Sequence, residues 1–388
     1  MAGDLAHRAR ELGDFALREE IEIASRGSGV LSLAGERPSD DLFDFAGISE
    51  AFHRALGGIS DASYLQSGLD GDPQLQAQLA SLAQSRGLDC EPDDIVVTAG
   101  SNQALDLLVS TLVDPGDTVL VERPCSPSVL ELFTLAGASV IQVDCDAGGL
   151  VVESLEQAIS DYAPKLLYTT PNFQNPTGKT LDDDRRGQIA SLAQREELWV
   201  IEDDSYGGLR YHGAPLKPLA SYEPHRFASR DPQRVIYVST LSHLVAPGLR
   251  IGFVVCSHDL QHALTSVKGA RDMHASALEQ RAASLYIGSD KFASHVDRLR
   301  GECAKRLDAM VELLPEAFPN DAHWEPPQGG MFLWVELAPG TDTLALMRQA
   351  TDSGVTFQPG ALFYIGGGHH NTLRLSFAST SPDDTAEA

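Results

Sequence analysis

The residues best placed to do chemistry sit in short polar stretches, most of which follow an apolar run. Thr240-Leu-Ser242-His243 comes after Val235-Ile-Tyr-Val238 and leads into Pro247-Gly-Leu-Arg250. An imidazole with an unperturbed pKa of about 6.5 both takes and gives a proton near neutrality, while a guanidinium forks onto a phosphate or a carboxylate. Ala99-Gly100-Ser101-Asn102-Gln103-Ala104 is a small-residue turn feeding a helix. Backbone N–H groups at a helix start, with hydroxyl and amide side chains beside them, form a cradle suited to a phosphate. Glu202-Asp203-Asp204-Ser205-Tyr206 ends another apolar run, and a carboxylate buried there needs a cationic partner. In Pro171-Asn-Phe-Gln-Asn175-Pro176-Thr-Gly178, proline sets the turn that aims the Asn175 amide. Arg374 falls inside the alternating stretch Asn371-Thr-Leu-Arg-Leu-Ser-Phe377, an unfavourable place for a cation unless its fork holds a carboxylate.

The elements that must position these groups are legible as β-rich runs alternating with helical stretches. Strands are expected at Ile95–Thr98, Thr118–Val121, Ser139–Val143, Lys165–Tyr168, Leu198–Glu202, Val235–Val238 and Arg250–Val255. Such alternation implies an α/β fold with a doubly wound, mostly parallel sheet, and ligands in that architecture sit at the carboxyl ends of strands. Helical spacing runs from Leu5 to about Ser25, and a long amphipathic helix is expected from about Leu260 to Leu314. The final third returns to strands at Gln328–Trp334, Gly354–Gly360 and Asn371–Phe377, after which an acidic tail is expected to fray.

With 388 residues the chain is long enough for a large domain and a smaller lobe. The expected division is an arm over residues 1–45, a large domain over 46–270 and a small α/β domain over 271–388. A formal net charge of −26 argues against nucleic acid or an anionic membrane as partners. Cys90, Cys125, Cys145, Cys256 and Cys303 are widely spaced and form no metal-binding pattern, so reduced thiols and a cytoplasmic location are expected. Cys125 reads as a small packed residue. No segment resembles a signal peptide or a membrane span.

On these stretches the chain resembles the class I/II aminotransferases, pyridoxal-phosphate enzymes of fold type I. Pro171 to Gly178 matches the family's Pro-x-x-Gln-Asn-Pro-Thr-Gly, Glu202 to Tyr206 its Glu-Asp-Asp-x-Tyr, and Thr240 to Arg250 its Ser-x-Ser-Lys with a following arginine. The resemblance implies that Asp203 pairs with the cofactor's pyridine nitrogen and that Asn175 and Tyr206 bond its phenolic oxygen. Gly100, Ser101, Asn102, Thr240, Ser242 and Arg250 would hold the phosphate. Tyr64, in Tyr64-Leu-Gln-Ser-Gly68, would reach the phosphate of a neighbouring subunit, which implies a homodimer with shared sites. Arg374 stands where the family clamps the substrate α-carboxylate, so the implied substrate is a small amino acid or oxo acid.

Three positions depart from the family pattern. Glu36 replaces a glycine in Leu31-Ser-Leu-Ala-Gly-Glu-Arg-Pro38, where a carboxylate would repel an ordinary amino acid, pair with a cationic substrate, neutralise Arg374 or turn to solvent. Ser126 replaces a tyrosine that stacks on the pyridine ring, which opens space. His243 replaces the lysine whose amine holds the cofactor as a Schiff base and shuttles the proton. An imidazole lacks the primary amine but retains the proton chemistry, so His243, with Tyr206, is the catalytic candidate. The leading expectation is an enzyme that binds pyridoxal or pyridoxamine phosphate noncovalently and performs a specialised reaction. An aminotransferase carrying a single introduced Lys→His change and a cofactor-free descendant serving binding or assembly stay open. His243 as a metal or haem ligand lacks a second ligand.

Overall fold

A computed structural model of the chain describes residues 29–57, 67–223 and 233–388, together with positions 6, 8, 12, 20, 21 and 23. Tyr64, and most of the helix expected between Leu5 and Ser25, lie outside the described residues. The expected runs become strands within a residue or two at each start, except that the run expected from Gln328 begins only at Phe332, and the short strands Gly149–Leu150 and His323–Trp324 were not expected. In chain order they are β1 (Leu31–Ser32), β2 (Ile95–Thr98), β3 (Thr118–Arg123), β4 (Ser139–Asp146), β5 (Gly149–Leu150), β6 (Leu166–Thr169) and β7 (Trp199–Asp203). They continue as β8 (Val235–Thr240), β9 (Gly252–Val255), β10 (His323–Trp324), β11 (Phe332–Glu336), β12 (Val355–Thr356), β13 (Gln358–Pro359) and β14 (Thr372–Ser376).

An eight-stranded sheet runs in the order β2-β9-β8-β7-β6-β3-β4-β5. The pairs β4·β3, β3·β6, β6·β7 and β7·β8 are parallel, whereas β9 runs antiparallel to both β8 and β2. Successive residues of the central strands enter opposite apolar layers. Val119 and Val121 pack with Leu166, Ile201 and the helix Ser101–Leu112, while Leu120 packs with Leu167, Val200 and the helix Asp183–Arg195. Both faces are therefore covered, which is why these strands read as nearly continuous apolar runs. The carboxyl ends of β3, β6, β7 and β8 meet along one edge and present Ser126, Thr170, Tyr206 and His243 just beyond it.

A second, antiparallel sheet, β10-β11-β14-β13, carries Arg374 opposite Trp334 and Gln358. β1 pairs in parallel with β12, which draws the Leu31–Pro38 stretch toward this sheet. The helical stretch expected from Leu260 to Leu314 is instead three helices, His258–Arg271, Ala277–Ile287 and Asp290–Ala317. Asp272 and Met273, the latter at φ 65°, break the first, and Ser276 caps the second by accepting from the Glu279 N–H. The expected frayed tail is also corrected. Phe377 and Ala378 are buried, and a capping box between Ser381 and Asp384 starts a helix over Pro382–Glu387. Arg306 ties that end down by donating to the carbonyls of Thr380 (2.9 Å) and Ala378 (3.3 Å). Among the described residues no helix is long and apolar enough to cross a membrane.

Candidate active site

The polar turn after β8 is held from beneath by its own apolar residues. Leu241, Leu244 and Val245 are buried, and the Leu241 N–H donates to Ile251 (2.9 Å) while the Val245 N–H donates to Leu241 (2.8 Å). Burying each of those side chains stabilises the turn by roughly 1.5–3 kcal/mol. Ser242 and His243 are left facing a cavity of about 240 Å³ whose walls also include Glu36, Ser101, Asn102, Ser126, Asn175, Asp203, Tyr206 and Arg250. Residues as distant in sequence as Glu36 and Arg250 thus meet at one place.

Each expected residue has a definite position there. Gly100 starts the helix Ser101–Leu112 at φ 89°, and a Cβ added to it would stand 2.5 Å from Arg250 Nη2. The positive φ favours glycine, and a Cβ would also force the exposed Arg250 guanidinium to move aside. Gly252 allows a similar approach from β9, since a Cβ there would lie 2.5 Å from the Gly100 carbonyl carbon and 2.7 Å from the Ser101 nitrogen. Arg250 is exposed, in the left-handed region at φ 49°, with long contacts of 3.4 Å to the carbonyls of Pro247 and Ala99. Thr240 lies behind the wall. Its buried hydroxyl is engaged with Ile251 O (2.9 Å) and Ser242 Oγ (2.9 Å), so it orients Ser242 and does not face the cavity.

Asp203, at the end of β7, is buried and accepts from Tyr168 OH (2.8 Å) and from the N–H (3.0 Å) and hydroxyl of Ser205. Burial raises its pKa despite these three donors. Asn175 lies within the turn Gln174–Gly178 and precedes a cis peptide to Pro176. Its Oδ1 accepts from Arg374 Nη1 (2.7 Å), and because a guanidinium only donates, this contact fixes the amide with its NH₂ on the other side. Ser126, at the start of the helix Pro127–Leu135, lies 3.0 Å from Ser128 across their hydroxyls. Cys125 beside it is buried, and burial pushes its thiol well up, as fits a packed residue.

His243 stacks on Tyr206, with ring centroids 4.7 Å apart and planes 20° from parallel. Its Nδ1 is buried and finds no hydrogen-bond partner among the described residues. Burial lowers the imidazole pKa to about 4, with Glu36 opposing that shift and Arg250 adding to it. The near-neutral titration expected from the residue type is therefore corrected, because the ring loses hydration without gaining a proton acceptor. Tyr206 is pushed the other way, its phenol held protonated by burial and by Glu36.

Arg374 is fully buried between Phe332 and Phe363, its guanidinium carbon 4.1 Å and 5.3 Å from their ring centroids. Both Nη atoms donate to Glu36 Oε1 at 3.2 Å, and Nη2 also donates to Ala34 O at 3.2 Å. Of the alternatives open for Glu36, the structure shows the ion pair with Arg374, although the Glu36 side chain is also 61% exposed.

Several supporting residues carried no signal in the sequence. Tyr168, Ser205 and Ser128 line or brace the cavity, and the Glu-Asp-Asp-x-Tyr stretch contained Ser205 without marking it. Asp204 turns away from the cavity and accepts from Asn172 Nδ2 (2.6 Å), Tyr237 OH (2.7 Å) and Arg86 Nη1 (3.1 Å). Arg186 donates to Asn172 Oδ1 (2.8 Å) and to the Pro171 carbonyl (2.9 Å). These contacts clamp the β7 end to the loop that bears Asn175.

The doubly wound sheet with its polar edge, a buried carboxylate and a glycine-lined helix start, define an aminotransferase-like enzyme of fold type I. The chain belongs to the aminotransferase class I and II family, whose profile matches residues 48–388. It is 31% identical over 367 residues to aromatic-amino-acid aminotransferase 1 of Thermococcus litoralis, a match covering 93% of this chain and 86% of that one. It is 32% identical over 371 residues to 2-aminoadipate transaminase of Thermus thermophilus, covering 96% and 91%. Among solved structures it resembles Pyrococcus horikoshii kynurenine aminotransferase in complex with PMP, at a TM-score of 0.92 and 32% identity, covering 100% and 95%.

Proposed function

We propose that this chain is a pyridoxal- or pyridoxamine-phosphate enzyme that holds its cofactor without a covalent bond and uses His243 as the acid/base. The observation that carries this reading is the half-buried imidazole of His243, its Nδ1 buried without a partner among the described residues, on the wall of the cavity that holds the expected ring and phosphate residues. His243 has no primary amine, yet it stacks on Tyr206 inside a cavity shared with Asp203, Asn175, Ser242 and Arg250. The residues fit the group. A buried carboxylate whose pKa is raised by burial gains from a pyridinium beside it, and the close approach of Gly100 and Gly252 leaves backbone N–H groups and Arg250 for a phosphate. When bound, the cofactor supplies an electron sink for charge developing on the substrate carbon.

The chain's own residues do the rest. Asn175, locked by Arg374, would donate its NH₂ toward the ring's phenolic oxygen alongside Tyr206. His243, neutral at physiological pH because burial depresses its pKa, enters the reaction as a base. The relatives named for aromatic amino acids and 2-aminoadipate suggest an amino compound or its oxo counterpart as substrate. We further propose a homodimer with Tyr64 reaching the partner's phosphate, and a division into an arm, a large domain and a small domain near residues 45 and 270.

The test is cofactor uptake followed by reduction. Dialysed protein titrated with pyridoxal phosphate should gain a visible absorbance band, and borohydride followed by denaturation should leave no cofactor on the chain. Absence of uptake of either cofactor form would overturn the proposal in favour of a cofactor-free protein.

A further inference from the structure

We infer that this site takes an amine, or the matching carbonyl compound, that bears no carboxylate on its reacting carbon. The inference rests on the proposed cofactor site and follows from the partners of the cations around it. Among the described residues, the cations lining the cavity are Arg37 and Arg250, with Arg374 behind Glu36. Arg37 pairs with Asp40 at 2.5 Å. Arg250, at the helix start, is assigned to the phosphate. Arg374 has both Nη atoms on Glu36 Oε1, one of them also on Asn175 and the other on Ala34 O. Once phosphate and ring are in place, the other cation on the wall is Arg37, which stays in solvent beside exposed Asp40, and among the described residues no buried cation is left over for a substrate carboxylate.

Arg374 cannot supply one by moving, because it is fully buried and flanked by Phe332 and Phe363. An entering carboxylate would have to displace Glu36, which is tethered to the same chain and so competes at a high effective concentration. Displaced, Glu36 would remain a negative charge at the cavity wall, where it repels the newcomer. An amine without that carboxylate meets neither obstacle, and the exposed side of Glu36 attracts any further positive charge it carries.

Calorimetric titration of protein loaded with pyridoxamine phosphate, which forms no bond with amines, tests this with matched pairs: L-arginine against agmatine, and L-tyrosine against tyramine. Each amine should bind at least as tightly as its amino acid. Glu36→Ala should tighten the amino acids roughly ten-fold or more by freeing a charge-assisted fork, and should leave tyramine nearly unchanged. Wild-type protein that binds the amino acids about ten-fold more tightly than the amines would overturn the inference, as would a Glu36→Ala variant with unchanged amino-acid affinity. The wild-type comparison needs no variant, so it decides the question even if Glu36→Ala fails to fold. Cofactor uptake is read beforehand by absorbance, and its failure counts against the proposed function. In that event the same titrations on bare protein, wild type against Glu36→Ala, still show whether Glu36 withholds Arg374 from carboxylates.

Discussion

Asp203→Asn separates the two roles that a buried carboxylate can have in this cavity. The substitution is nearly isosteric. Asn keeps an oxygen for the Ser205 N–H (3.0 Å) and turns its amide toward Tyr168 OH, which sits 2.8 Å from the present carboxylate. The Thr170 hydroxyl, which donates to the Tyr168 phenol at 3.3 Å, can turn so that the phenol donates to it instead. What disappears is the charge. Loss of a charge-assisted bond to a pyridinium corresponds to about 1.5–3 kcal/mol, so cofactor affinity should fall roughly 10- to 100-fold. Stability of the cofactor-free protein should move the opposite way. Burial raises the folded-state pKa of Asp203, so its contribution is full below the ordinary carboxylate range and is lost as pH rises through the raised value. Cofactor-free Asp203→Asn should therefore melt higher than wild type at pH 8, with the gap closing as the pH approaches 4. Fluorescence titration with pyridoxal phosphate and thermal unfolding across that range read the two effects separately. Unchanged cofactor affinity would remove Asp203 as the ring's partner. A variant less stable than wild type at pH 8 would show that the internal donors already satisfy the charge.

Three further outcomes are expected. His243→Lys should place a primary amine beside the ring, so that borohydride reduction leaves cofactor on the chain after denaturation; a chain that stays unlabelled despite cofactor uptake would mean the ring does not lie next to this position. Glu122, buried and accepting from Thr169 Oγ1 (2.8 Å) and the Thr170 N–H (3.0 Å), is pushed up to about 7 by burial. Its favourable protonated form is complete below pH 4.5 and lost as pH rises through about 7, so Glu122→Gln should gain stability over wild type by at most about 3 kcal/mol at pH 8, read by urea unfolding at pH 5 and 8. Gly252→Ala should push β9 from the helix start, lowering stability by about 1–3 kcal/mol and weakening phosphate or cofactor binding, measured by denaturation and titration; full cofactor affinity in a folded variant would refute the close-approach argument.

Local rules were enough to recover the strand runs, the helix start after Gly100 and the edge at which the polar stretches gather. Those features follow from period-two burial, from glycine's access to positive φ and from the right-handed winding of parallel strands, all of which act over a few residues or through one topological rule. The nature of residue 243 was also visible, since an imidazole offers no primary amine in any fold. What the chain order could not convey is which charges meet. Glu36 reaches Arg374 across 338 positions, and Arg86 reaches Asp204 across 118. The first was one of several alternatives that the residue types left open and the second carried no signal at all, because ion-pair partners are chosen by packing once the sheets are assembled. The proton affinity of His243 belongs to the same category. Its drop to about 4 comes from the loss of water around a ring stacked on Tyr206, and desolvation exists only when the tertiary structure has closed over the group.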